Sequence, residues 1–180
     1  MKNLRMKNNQ KESGQSMVEL AVSFLILMIL LAGVVDLGRL AFTYIAMRDA
    51  AQEGASFASI FPNNNFEIIE RVKAGIVDTS RIQIIIKFGE NPDDIYYKCY
   101  YNVPEDEIET EFVDNNCMNY IDTKEINDVE VNDMIEITVR DPRFPITMPL
   151  IGVFIGNEIN LETTIRDIII SIPKEPTPTG

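Results

Sequence analysis

Leu20 to Val35, LAVSFLILMILLAGVV, runs sixteen residues without a charge, and Ser23 is its only polar side chain. As a helix it spans roughly 24 Å at 1.5 Å per residue, somewhat less than the ~30 Å hydrocarbon core of a bilayer. Helix-compatible flanks, Ser16–Val18 and Leu37–Met47, lengthen it but bring in Glu19, Asp36 and Arg39. Asp36 and Arg39 stand three residues apart and can pair on one helix face. The helix is predicted to continue to Phe61, where Pro62-Asn63-Asn64-Asn65 stops it. At about 100° per residue, Arg48, Asp49, Gln52, Glu53 and Ser56 share one side. Met47, Ala50, Ala51, Gly54, Phe57, Ala58 and Phe61 share the other. Within that apolar side, Ala46, Ala50, Gly54 and Ala58 form a row of small residues at i, i+4 spacing, which lets another backbone approach closely. The partner is either the chain's own sheet or a neighbouring subunit.

Beyond Pro62 the pattern shortens and then changes period. Asn64 with Glu67 forms a capping pair, and Phe66, Ile69, Val72 and Ile76 recur at helical spacing, so a short helix is expected near 65–76. Arg81–Phe88 alternates, with Ile82, Ile84, Ile86 and Phe88 on one face. Tyr96–Val103 and Met134–Arg140 read as further strands. Ile159–Ile172 is β-rich, and its apolar parity is expected to flip near Asp167 through a bulge or a doubly buried end. Phe144–Gly156 is an apolar stretch with two prolines, suited to covering the sheet's base or to touching lipid or a neighbour. The fold class expected is α+β: a long N-terminal transmembrane/amphipathic helix packed on a small, mostly antiparallel β-sheet. Residues 173–180, PKEPTPTG, form a Pro-rich tail expected to be unstructured.

Charge gives this pattern a direction. The 180 residues carry a formal net charge of −12 and contain no histidine. Histidine-dependent catalysis, imidazole metal sites and histidine pH switches are thereby excluded, and the acidic balance argues against a nucleic-acid partner. Residues 1–14 are nevertheless net +3 through Lys2, Arg5, Lys7 and Lys11 against Glu12, leaving −15 for the remainder. A basic head before the apolar run places the N-terminus in the cytoplasm and the acidic body outside. A cleaved signal peptide also begins this way, but this run is longer than usual and no A-x-A site follows it.

Region 90–133 concentrates 14 Asp and Glu against Lys98 and Lys124. It shows no Asp-x-Asp-x-Asp-Gly calcium loop, and solvated surface is the simpler account. Paired carboxylates for glycoside hydrolysis cannot be told from scattered acids here, so no enzyme is expected. Cys99 and Cys117 are the chain's two cysteines. In an extracytoplasmic body an even pair favours a disulfide, with two reduced thiols as the alternative.

Gly14, four residues and then Glu19, behind a basic leader and ahead of an apolar helix, resembles the processing site of type IV prepilins. The longer composite adds Val35-Asp36-Leu37-Gly38-Arg39 and Ala51-x-x-Gly54-Ala55. With these it resembles the TadE-like proteins of the tight-adherence (Flp) pilus system. The resemblance implies a pilin-like minor pilin or pseudopilin, cut after Gly14 by a prepilin peptidase at the cytoplasmic face. Gln15 then becomes the first mature residue and Glu19 the fifth, placed to neutralise a neighbour's new amine. Type IV pilins carry Phe where this chain has Gln15, which leaves N-methylation open. The implied partners are the membrane, the peptidase, other pilin subunits and the assembly platform, with no cofactor.

The domain plan is then a leader at 1–14 and a long helix at 15–61, membrane-spanning in its first half. An extracytoplasmic domain at 62–172 and a tail at 173–180 follow. The alternative is an uncleaved single-pass anchor that displays a binding module.

Overall fold

The computed structural model describes residues 10–108, 113–114, 129–147 and 156–172. Helix α1, Gln10–Ala58, is one unbroken rod of 49 residues. It begins before Gly14, earlier than the expected start at residue 15, because Gln10-Lys11-Glu12 are good helix formers and precede it without a breaker. Regular helix ends at Ala58, three residues short of Phe61, as the chain turns ahead of Pro62, which disfavours helical backbone in the residue before it. Helix α2, Asn65–Ala74, is capped by Asn64, whose Oδ1 accepts from the Glu67 backbone N–H at 3.2 Å. It closes at Gly75, shorter than the expected 65–76.

The strands are β1 (Gln83–Asn91), β2 (Asp94–Tyr101), β3 (Val113–Asp114), β4 (Met134–Pro145) and β5 (Glu158–Ile168). Their order is β3-β2-β1-β4-β5. The pairs β1/β2, β1/β4 and β4/β5 are antiparallel, and the two-residue β3 lies parallel to β2. The β1–β2 hairpin turns on Pro92-Asp93, with the Asp93 N–H bonded to Asn91 Oδ1 at 3.0 Å. Gly89 sits at the register shift beside this turn; a Cβ there would lie 2.2 Å from the Asp94 carbonyl oxygen.

Period-two alternation gives the sheet two distinct faces. Ile84, Ile86 and Phe88 of β1 turn toward the helices with Tyr97, Cys99, Ile135, Ile137, Val139 and Leu161, all buried. Met47, Ala50, Ala51, Ala55 and Ala58 of α1 and Ile68, Ile69 and Val72 of α2 close the core from above. Each large side chain among them contributes roughly 1.5–3 kcal/mol by leaving water.

Two expectations need correction. The apolar parity of the last strand does not flip near Asp167. Leu161, Thr163 and Ile169 keep one parity and are buried, while Ile168 and Ile170 on the other are exposed. The irregularity lies instead in the register of β4 with β5, between Asp141 and Phe144. Phe61, placed on the buried side of α1, is 43% exposed and stacks on Phe57 with ring centroids 5.1 Å apart. Beyond Ala58 the regular helix no longer carries it inward. The expected tail and most of the acidic region between 108 and 129 lie outside the described residues, as does the middle of the 144–156 stretch.

Candidate functional site

α1 divides into two unequal environments. Large apolar side chains stand exposed along it from Met17 to Ile45. That interval is roughly 42 Å of helix, matching the ~40–45 Å of a bilayer with its headgroups. Its most apolar window has a mean hydropathy of 2.7 and is 0% buried. Gly14, Gln15 and Glu19 lie on the same bare length, all exposed. The bond expected to be cut therefore sits in helical, uncovered backbone.

From Met47 onward the helix is built into the domain. Ala50, Gly54 and Ala58 of the small-residue row are buried and Ala46 is half-buried. A Cβ on Gly54 would come within 2.4 Å of Val72 Cγ2 and 3.2 Å of Ile137 Cδ1. At Gly75 it would meet the Ala50 Cβ at 2.9 Å. The row thus admits α2 and β4 of the same chain. On the other side, Arg71 of α2 bridges to Glu53 at 3.0 Å and lies 4.3 Å from the Phe57 ring centroid.

Where the two environments meet, α1 is fastened to the sheet. Arg39 pairs with Asp36 at 3.6 Å, donates to the Thr147 hydroxyl and lies 5.8 Å from the Phe144 ring centroid. A groove of about 370 Å³ opens at this level, with Arg39, Phe42, Val77, Arg81, Asp141 and Phe144 in its lining. Arg81 bridges Asp78 at 3.2 Å and the buried Asp141 at 3.3 Å. The hydrogen bond from Arg81 to Asp141 raises the guanidinium's pKa above its ordinary value, although burial opposes this. Sequence reasoning found the Asp36–Arg39 pair but missed Phe42, Tyr44 and Val77. Exposed aromatics seven and nine residues past Val35 were the available signal, since aromatic side chains collect at membrane–water interfaces.

The sheet face away from the helices is polar. Glu136 of β4 accepts from Arg166 of β5 at 2.6 Å and from Lys87 of β1 at 3.1 Å. Burial acts to raise the Glu136 pKa, and the Arg166 and Lys87 hydrogen bonds more than offset it, holding it below the usual carboxylate value. Thr138 and Thr164 share a 2.8 Å hydrogen bond beside this ladder. Cys99 is disulfide-bonded. Cys117, the chain's other cysteine, lies outside the described residues. Among the described residues no three of the Asp, Glu and Cys side chains are grouped to hold a metal ion.

Fold and bare helix together define a class: an α+β protein with one long N-terminal helix suited to single-pass membrane anchoring. The family model described as TadE-like protein matches residues 14–56. Over this segment, about a quarter of the chain, the protein is similar to the TadE-like family. The match begins on Gly14 and runs through the apolar stretch into the buried small-residue row. No curated protein and no solved structure matches the chain.

Proposed function

We propose that this protein is a minor pilin or pseudopilin of a tight-adherence (Flp) pilus system, stored in the membrane and drawn on when a surface-adhesion filament is assembled. The observation that carries this reading is the family match beginning at Gly14 on a helix with large apolar side chains exposed from Met17 to Ile45, its domain contacts beginning only near Asp36 and Leu40. A helix so exposed suits two apolar surroundings in turn, lipid before assembly and the helices of other subunits afterwards. The basic residues ahead of Gly14 hold the N-terminus in the cytoplasm, where a prepilin peptidase reaches the Gly14–Gln15 bond. Cleavage leaves a charged amine at Gln15. Within a helix bundle of low dielectric, Glu19 of an adjacent subunit neutralises it and sets the axial register.

Glu19→Ala tests this pairing. Membrane insertion and processing should persist in the variant, while its recovery in assembled filaments drops several-fold. Wild-type incorporation of Glu19→Ala would remove the pairing from the account. The uncleaved-anchor reading gives Glu19 no partner in another subunit, and there the substitution changes nothing beyond local stability.

A further inference from the structure

We infer that the membrane-proximal end of the outer domain rests in the headgroup layer of the same bilayer that holds α1, with Phe42 and Val77 as its lipid contacts. This rests on the membrane-anchored reading of α1 and adds a second contact, made by the folded domain.

Three observations support it. First, no spacer separates the span from the core: Ile45 is still 57% exposed, and Met47, two residues on, is 0% exposed. Leu40 already packs against that core, so the folded domain begins within the outer turns of the exposed length. Second, the exposed apolar length of roughly 42 Å exceeds the ~30 Å hydrocarbon core and reaches through the headgroup zone. With Glu19 at the inner boundary of the core, about twenty residues of helix bring the outer boundary to Arg39, and Phe42 stands one turn above it. Third, the domain's own loops descend to that level. Arg39 bonds Thr147 and touches Phe144, and Val77, at 96% exposure, lines the same groove as Arg39 and Phe42.

A valine held almost wholly in water at a loop tip is unfavourable, and the headgroup layer relieves that cost. The groove's charges suit such a place because Arg39 is paired with Asp36, and Arg81 with Asp78 and Asp141. Paired charges lose less on entering a less polar layer than single ones. The domain thereby stands on the bilayer surface instead of swinging from a free stalk.

The chain contains no tryptophan, so each substitution to Trp supplies a single fluorescent reporter. The full-length protein carrying Val77→Trp, Val131→Trp or Leu27→Trp is reconstituted into phosphatidylcholine–phosphatidylglycerol vesicles, with lipids brominated near the headgroup or at mid-chain. Val77→Trp should be quenched roughly two-fold by the shallow bromines and less by the deep ones, as an interfacial aromatic is. Val131→Trp, in the turn before β4, should be unaffected. Quenching of Leu27→Trp by mid-chain bromines verifies the anchor independently.

If Leu27→Trp is quenched while Val77→Trp behaves like Val131→Trp, the domain does not touch lipid and the inference falls while the anchor stands. A Val77→Trp emission that is blue-shifted yet unquenched means another protein copy covers the site, and likewise overturns it. If none of the three is quenched, the anchor reading itself fails and takes the inference with it.

Discussion

Gly54 shows how one missing side chain sets the packing of the molecule. Alanine there gains roughly 1 kcal/mol of helix propensity, but its methyl would press into the buried Val72 and Ile137. Overpacking of this kind costs about 1–3 kcal/mol, so Gly54→Ala should lower the denaturation midpoint in detergent. Unchanged or raised stability would show that Val72 and Ile137 yield at no more cost than the helix-propensity gain. Glu136 is one carboxylate that couples stability to pH. Its folded pKa lies below the usual value, so its stabilisation is complete above the ordinary carboxylate pKa and is lost as pH falls through the folded one. Glu136→Gln should cost about 2 kcal/mol at neutral pH, the scale of hydrogen bonds to a charged group. It should also flatten the acid side of the stability profile; an unchanged acid slope would exclude Glu136 as its source.

The elements differ in how plainly the sequence announces them. β1 and the first half of β4 are legible despite Ile85, because polar Arg81, Gln83 and Lys87, and Glu136 and Thr138, mark the face opposite to buried Ile84, Ile86, Ile135 and Ile137. Asn64 marks the start of α2 by a local hydrogen bond. The continuation of β5 was misjudged because three consecutive isoleucines, 168–170, hide parity, and only contact with Asp133 and Ser59 fixes which of them turns inward. The parallel pairing of β3 and the Arg39–Thr147 bond across 108 residues leave no local trace at all. Of the expected site, Glu19 and the small-residue row were visible as departures from an apolar pattern. The choice between own sheet and neighbouring subunit for that row required the close approaches at Gly54 and Gly75. β2 carries a further test through its disulfide-bonded Cys99. The sequence offers Cys117 as its partner, and a loop of that length is stabilised by about 3 kcal/mol on closure. Without reductant, mass spectrometry should find neither cysteine alkylated; alkylation of both would contradict the bond.

At the scale of the whole molecule, a basic head, a bare apolar rod and an acidic body follow one another along the chain. The rod enters the body without a break, so a subunit leaving the bilayer for a filament would move as one piece, its helix exchanging lipid for other helices. That exchange requires the basic head to be removed first, since lysines and arginine ahead of Gly14 cannot be carried into an apolar bundle cheaply. The mature N-terminus is thus the most direct measurement. Protein isolated from cells with an active prepilin peptidase should begin at Gln15 by N-terminal sequencing, and should keep the basic residues ahead of Gly14 when the peptidase is inactivated. A chain that keeps its leader in both would contradict the account and leave a permanently anchored outer domain in its place.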